Sequence, residues 1–403
     1  MEAEKIVQQL FTVILKQFVF IGLTIISVHI LGTANAQTSI YQPNYLYSEI
    51  DSVTKNKIFT SLDTLFSQIE RGKISESIIS KDNSALSIST MQSFAGMEAS
   101  QKDSIDNFYK KQLINLYPIS ANKFWVSIAF IGSKDNEPSI LKNIINLIAT
   151  NTNGNITFSI PLNYLTKEWK TKAVGNITYF FRGKINLERA ANFNEKNTKI
   201  AASLELQPEK LNFYLCNNYQ EILQLLGYEY DAELNGKTRD GYGVDSKTIF
   251  SIMGNEDFSH DVFHFYSDKI RGDIKRNRTV EEGIGYSWAN AYYTNTNGEM
   301  IEQKELIQEL KKYLNTNPKA SLLELFNNDT KIFSHLPPEI SVKSTISSLL
   351  CDYVKSKNGV DGIKALIKCG SGDNNFFKAL NDLVSINQTN FDTEAIKLLE
   401  NYK

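Results

Sequence analysis

Ile58, Leu62, Leu65, Phe66 and Ile69 fall on one face of a helical repeat that stops at Gly72, so the first element is expected to be a helix beginning near Ser52. A second helical patch is expected over residues 102–113. The period then changes. Residues 124–130 are rich in aromatic and β-branched side chains and end at Gly132, as a strand does. Apolar runs at 144–150 and 156–160 flank Asn151, Thr152, Asn153 and Gly154. An Asn-Gly pair between two such runs signals a hairpin, because its turn residues must accept positive φ. Residues 176–181 are expected to close this series of strands.

From residue 185 the pattern restarts. It predicts a helix over 190–204, a strand over 210–215 after Pro208, and a helix over 219–226 closed by Gly227. A loop rich in Gly, Asp and Thr over 235–243 leads to a strand at 247–252. Everything after Gly283 reads as helix: 302–314, 322–326, 342–355, 362–367, 376–384 and 393–402. No internal repeat or low-complexity linker interrupts the chain. The fold class is α+β, divided into 40–184 (helices, then antiparallel sheet), 185–300 (α+β) and 301–403 (helical). Helices followed by a long-stranded antiparallel sheet resemble the cone-shaped fold of nuclear-transport-factor-like domains. That resemblance implies a cone able to hold a ligand in its mouth; a spacer or docking domain is the plainer expectation.

The N-terminus adds an address. Lys16 precedes an apolar run over 18–28, and Ala34, Asn35 and Ala36 stand before Gln37. A basic flank, an apolar core and small residues two apart form a secretory signal peptide, here residues 1–36. An uncleaved membrane anchor is the alternative, disfavoured by Ser27, His29 and Thr33 within the stretch. Export to the periplasm or beyond follows, with no membrane span once the signal is removed.

Composition excludes more than it assigns. The 403 residues are 42% hydrophobic and 22% charged, an ordinary globular mix with ample material for buried cores. A net charge of −2 without basic runs gives no reason to expect a nucleic-acid partner. Cys216, Cys351 and Cys369 lack metal-ligand spacing and sit in apolar contexts. Small core residues is the better reading, although Cys351 and Cys369 are the nearest pair for a bridge.

Chemistry concentrates in one stretch. His260 and His264 are two of only four histidines, and four residues apart on a helix places them one above the other. Two imidazoles so placed can chelate a divalent cation, and zinc suits nitrogen donors. Asp261, directly after the first histidine, can reach a metal-bound water from the side. A third ligand is needed, and Thr279, Val280, Glu281, Glu282, Gly283 supply candidates. Glu282 could instead close a capping box with Thr279, which would leave Glu281 as ligand or bystander. Gly283 and Gly285 would let this segment pack closely against the histidine helix. Tyr286 and Tyr293 are near enough in sequence to offer an oxyanion donor, although packing is the commoner role for a tyrosine. His335, ahead of Pro337, is expected in a loop.

Together these motifs resemble the gluzincin zinc metallopeptidases, over roughly residues 187–403 and most sharply over 260–286. That family carries H-E-x-x-H on one helix and a glutamate ligand, commonly followed by Gly, on the next. The resemblance implies a strand at 248–252 edging the cleft, Gly254 to Glu256 leading into the histidine helix, and a closing helical subdomain. It implies zinc held by His260, His264 and Glu282, Asp261 as general base, and a peptide or protein substrate. The departure is Asp261 itself, since the family has glutamate there. Aspartate is one methylene shorter and stops about 1.5 Å short on ordinary bond lengths. Two functions therefore stand side by side: an exported zinc peptidase, and an inactive peptidase-like binding or scaffold protein of the cell envelope.

Overall fold

The computed structural model of the chain describes residues 39–43, 46–102, 104–236, 241–244, 247–252, 255–293, 300–337 and 339–402. The expected signal peptide, residues 1–36, lies outside the described residues, as does Gly254. Among the described residues no helix is long and apolar enough to cross a membrane. The fold is mixed α and β. It divides into two compact units, one running to Pro161 and including Gly227–Asn235, the other formed by Leu162–Leu226 and Gly236–Lys403. The helices after residue 301 share the second unit's core rather than forming one of their own.

In the first unit, α1 (Ser52–Glu70) starts at Asp51, whose carboxylate accepts from Thr54 N–H at 2.9 Å. It buries Ile58, Leu62, Leu65, Phe66 and Ile69, the face the spacing predicts. After α2 (Ser84–Gln92) come four antiparallel strands in chain order: β1 (Lys110–Pro118), β2 (Lys123–Gly132), β3 (Ile140–Thr152) and β4 (Asn155–Ser159). The β3–β4 turn has Asn153 at φ 53° and Gly154 at φ 88°, the two positive values that a two-residue hairpin turn requires. The helical patch expected over 102–113 is not formed; its C-terminal end belongs to β1. Lys111 conceals the strand in the sequence. It sits at an inward position, fully buried, ion-paired with Glu98 and 5.5 Å from the centre of the Phe66 ring, so the apolar alternation shows a charge where a hydrophobe would stand. A fifth strand, Tyr228–Asp231, pairs with β3 at Asn143–Ile145, below the stretch that β4 covers.

After a single helical turn at Leu162–Leu165, the second unit runs through β5 (Lys170–Val174) and β6 (Ile177–Phe181), followed by α3 (Leu187–Ser203), β7 (Leu211–Leu215), α4 (Tyr219–Leu225), β8 (Gly241–Val244) and β9 (Thr248–Ser251). The sheet order is β5-β6-β7-β9-β8. Its three inner strands are parallel and the two outer ones antiparallel. Residues 176–181, expected to finish the first sheet, thus sit inside the second. Parallel pairing of β6 with β7 needs a crossover, and α3 supplies it. The strand expected to edge the cleft, β9, is interior, because β8 pairs outside it from within the stretch read as a loop.

The helices that follow are α5 (Ser259–Arg271), α6 (Arg278–Trp288), α7 (Gln303–Thr316), α8 (Leu322–Asn328), α9 (Val342–Ile367), α10 (Asp373–Val384) and α11 (Phe391–Asn401). Tyr179 and Phe213 of the sheet, Phe193 of α3, Phe263 and Tyr266 of α5, Ile284 of α6 and Leu350 of α9 all belong to one buried cluster. The two helices expected at 342–355 and 362–367 are continuous as α9 except at Gly359, where φ is 63°. All three cysteines are free thiols. Cys216 and Cys351 are buried, as small core residues are.

Candidate metal centre

Two helices carry the site. α5 begins after a buried polar segment that positions its first turn. Asp257 accepts from the N–H of Ser259 at 2.9 Å, and its other carboxylate oxygen lies 3.2 Å from the Lys196 ammonium. Lys196 also donates to the Asn290 side-chain oxygen at 2.7 Å, and Asn290 in turn donates to the Ser259 hydroxyl at 3.1 Å. The backbone carbonyl of Asn290 then lies 2.8 Å from His260 Nδ1. A carbonyl only accepts, so this contact places the His260 proton on Nδ1 and leaves Nε2 with its lone pair.

α6 starts at Asn277, whose side chain accepts from Val280 N–H at 3.2 Å. The capping box between Thr279 and Glu282 is therefore not made. Thr279 instead donates to Asp373 at 2.7 Å, and Glu282 is available to the histidines. His260, His264 and Glu282 each present one donor atom, all within 4.8 Å of one another, and this group can hold a metal ion. The two rings are 4.8 Å apart centre to centre.

The sharpest feature is His260 Nε2 against Glu282 Oε2 at 3.1 Å. With Nδ1 carrying the proton, the neutral ring aims a lone pair at a carboxylate oxygen. Two acceptors face each other, and only a proton or a cation between them makes the contact favourable. Burial lowers the basicity of His260, but the hydrogen bond and charge of Glu282 and the charge of Asp261 outweigh it, and the net shift is upward. Burial also lowers His264, where it prevails, aided by the charges of His260 and Arg276. Glu282 is pushed up by burial, yet His260, His264 and Arg276 hold it at about 2. It is an anion at any working pH.

Glu281 takes a different place. Its side chain is 1% exposed, and its Oε2 lies 3.3 Å from His264 Nδ1. Its carboxylate also meets Arg271 at 3.1 Å and Arg276 at 2.9 Å. Glu281 thus sits behind His264, whereas Glu282 is the glutamate grouped with both histidines.

The two glycines of α6 divide their work. A Cβ on Gly285 would come within 2.9 Å of His260 Cε1, so the close approach to the histidine helix is real there. A Cβ on Gly283 would instead meet the Ser347 backbone of α9 at 2.9 Å. The α9 face opposite is built of Ser344, Thr345, Ser347 and Ser348, all buried. The hydroxyls of Thr345, Ser347 and Ser348 bond back to their own helix, which frees this face for tight packing.

The remaining sequence candidates fall as follows. Asp261 is exposed in the first turn of α5. Tyr286 is 4% exposed, its ring 5.9 Å from that of His260, and its hydroxyl accepts from Ser341 N–H at 3.3 Å; burial pushes its hydroxyl up to about 12. Its ring packs beside that of His260. The Tyr293 side chain lies outside the described residues. His335 is exposed and not part of the cluster, 3.7 Å from Glu309. Sequence reasoning missed Arg276 and Asn290. Arg276 had a signal, a cation six residues before a candidate ligand; Asn290 acts through its backbone and had none.

No known family model matches the chain, and no curated protein matches it either.

Proposed function

We propose that the second unit is a zinc-dependent hydrolase domain of the peptidase type, in a chain exported with its leader removed after Ala36. The convergence of one donor atom each from His260, His264 and Glu282, all within 4.8 Å of one another, carries this reading. Two imidazole nitrogens and one carboxylate are the donor set and number of a catalytic zinc, which keeps a fourth position open, rather than of a closed structural site. When bound, zinc supplies Lewis acidity, polarising a carbonyl oxygen and acidifying water.

The chain's own residues supply the rest. Asn290 holds His260 in the tautomer with Nε2 available, and Glu281 does the same for His264. Asp261 is the proton acceptor beside the open position, and the peptide or protein substrate lies across the exposed end of α5. A second reading, a peptidase-like binding protein without turnover, is favoured by one observation. Asp261 is a methylene shorter than the family's glutamate, and a general base acts over heavy-atom distances of about 2.6–3.2 Å. Elemental analysis of the gently purified chain should find one zinc. His264→Ala and Glu282→Ala should abolish it, whereas Glu281→Ala should weaken it only. A zinc-free wild type would end the metal reading; zinc without cleavage across a broad peptide library would select the binding protein. N-terminal sequencing of the exported chain should begin at Gln37.

A further inference from the structure

We infer that Arg276 is a built-in competitor for the metal, a tethered cation that fills the charge of the site until an ion displaces it. This rests on the metal reading above and concerns how the site is filled. Arg276 lies in the link between α5 and α6, and its guanidinium is divided between two tasks. Nε stands 2.9 Å from Glu281 Oε2, an anchoring ion pair. Nη2 reaches into the cluster, donating to Glu282 Oε1 at 2.8 Å and lying 3.0 and 3.1 Å from His264 Nδ1 and Nε2.

Space decides the competition. Glu281 Oε2, 3.3 Å from His264 Nδ1, is an acceptor and selects the proton on Nδ1, which leaves the Nε2 lone pair for a metal. Nη2 is nearly equidistant from the two ring nitrogens, so it is not in line with either and makes no directed hydrogen bond to the ring. It nevertheless stands 2.8 Å from Glu282 Oε1 and 3.1 Å from His264 Nε2, so a cation bound to both of those residues would crowd it. Glu282 repeats the conflict in charge rather than geometry. Arg271 is shared between Glu281 and Asp268, so Arg276, which pairs with both Glu281 and Glu282, is the cation that offsets Glu282. Insertion of an ion therefore requires Nη2 to withdraw, while the Nε contact to Glu281 can keep the side chain tethered. Occupancy by guanidinium and by metal are coupled, and such coupling is reciprocal.

The test titrates Zn²⁺ into the metal-stripped full-length chain against a chelating dye and measures denaturant midpoints without metal. Arg276→Gln keeps a polar side chain but removes the charge. It should bind Zn²⁺ on the order of tenfold tighter than wild type, within the range usual for coupled sites, and should lower the metal-free midpoint because two carboxylates lose a counter-ion. Arg276→Lys keeps charge and most of the packing, should fold as wild type does, and should give a smaller gain, since one ammonium cannot span Glu281 and Glu282. Wild type that binds one Zn²⁺ while both variants bind equally or more weakly would overturn the competition and leave the metal reading intact. Wild type that binds none, with His264→Ala indistinguishable from it, would overturn both.

Discussion

Gly285→Ala adds one methyl group at the point where α6 touches the first histidine. The new Cβ would stand 2.9 Å from His260 Cε1 and 3.2 Å from Nδ1, whereas ordinary contact begins at 3.4 Å. The ring must therefore yield by 0.5 Å at its nearest atom, and its Nδ1 is held by the Asn290 carbonyl at 2.8 Å. Overpacking of this kind costs about 1–3 kcal/mol. Replacing glycine with alanine inside a helix returns about 1 kcal/mol, so the net loss of fold stability should be small, about 0–2 kcal/mol. Disturbing the group that orients a metal-ligating histidine should weaken Zn²⁺ about 10–100-fold. Gly283→Ala, two residues away, is the contrast. Its Cβ meets backbone atoms of Ser347 at 2.9 and 3.1 Å, which cannot step aside as a side chain can. It should lower the denaturant midpoint more than Gly285→Ala, with two helices forced apart. Dye-competition titration and urea denaturation on both variants separate the effects. Unchanged Zn²⁺ affinity in Gly285→Ala, or a Gly283→Ala chain as stable as wild type, would refute the packing argument at that residue.

Three further outcomes follow from the geometry. If Asp261 is the proton acceptor proposed above, Asp261→Glu lengthens its reach, and cleavage in a peptide-library assay should rise by up to about 10²–10⁴; a fall would mean that the site is adapted to aspartate. Burial pushes the Cys216 thiol up to about 12 and Cys369 to about 11, and Cys351 is buried more deeply still. Iodoacetamide followed by peptide mapping should therefore find Cys369 modified first and Cys351 only on unfolding. Burial raises the Asp352 carboxyl above its ordinary value, against the hydrogen bonds from Ser287 and Gln303 and the charge of Lys355. The unfolded chain then releases this proton first as pH rises, so the stability of wild type relative to Asp352→Asn should fall through the carboxylate range and level off above the raised folded value, read as urea midpoints across that range.

What was legible in the sequence was local. The α1 face, the Asn153-Gly154 hairpin and the helices from α7 onward depend on spacing and turn chemistry within a few residues. The trio that could hold a metal ion was legible for the same reason: His260 and His264 share a helix face, and Glu282 follows on the next helix. What failed was long-range. β6 looks like its antiparallel neighbours until α3 is seen to carry the chain across to β7. The strand at Tyr228–Asp231 finds its partner in β3, far back in the chain, with polar pairs such as Asn143 to Asp231 at 2.9 Å that no periodicity announces. Arg276 and Asn290 depend on geometry between helices, and a backbone carbonyl is the same in every residue.

The wall behind α6 sets a timetable. All three candidate ligands are synthesised by residue 282, yet the surface that presses Gly283 into place is the serine- and threonine-lined face of α9, ending near Ser348. A nascent chain that has delivered both histidines still lacks the backing that brings its second helix to bear on them. On the proposed reading, an ion would meet its full donor set only once the C-terminal helices have docked.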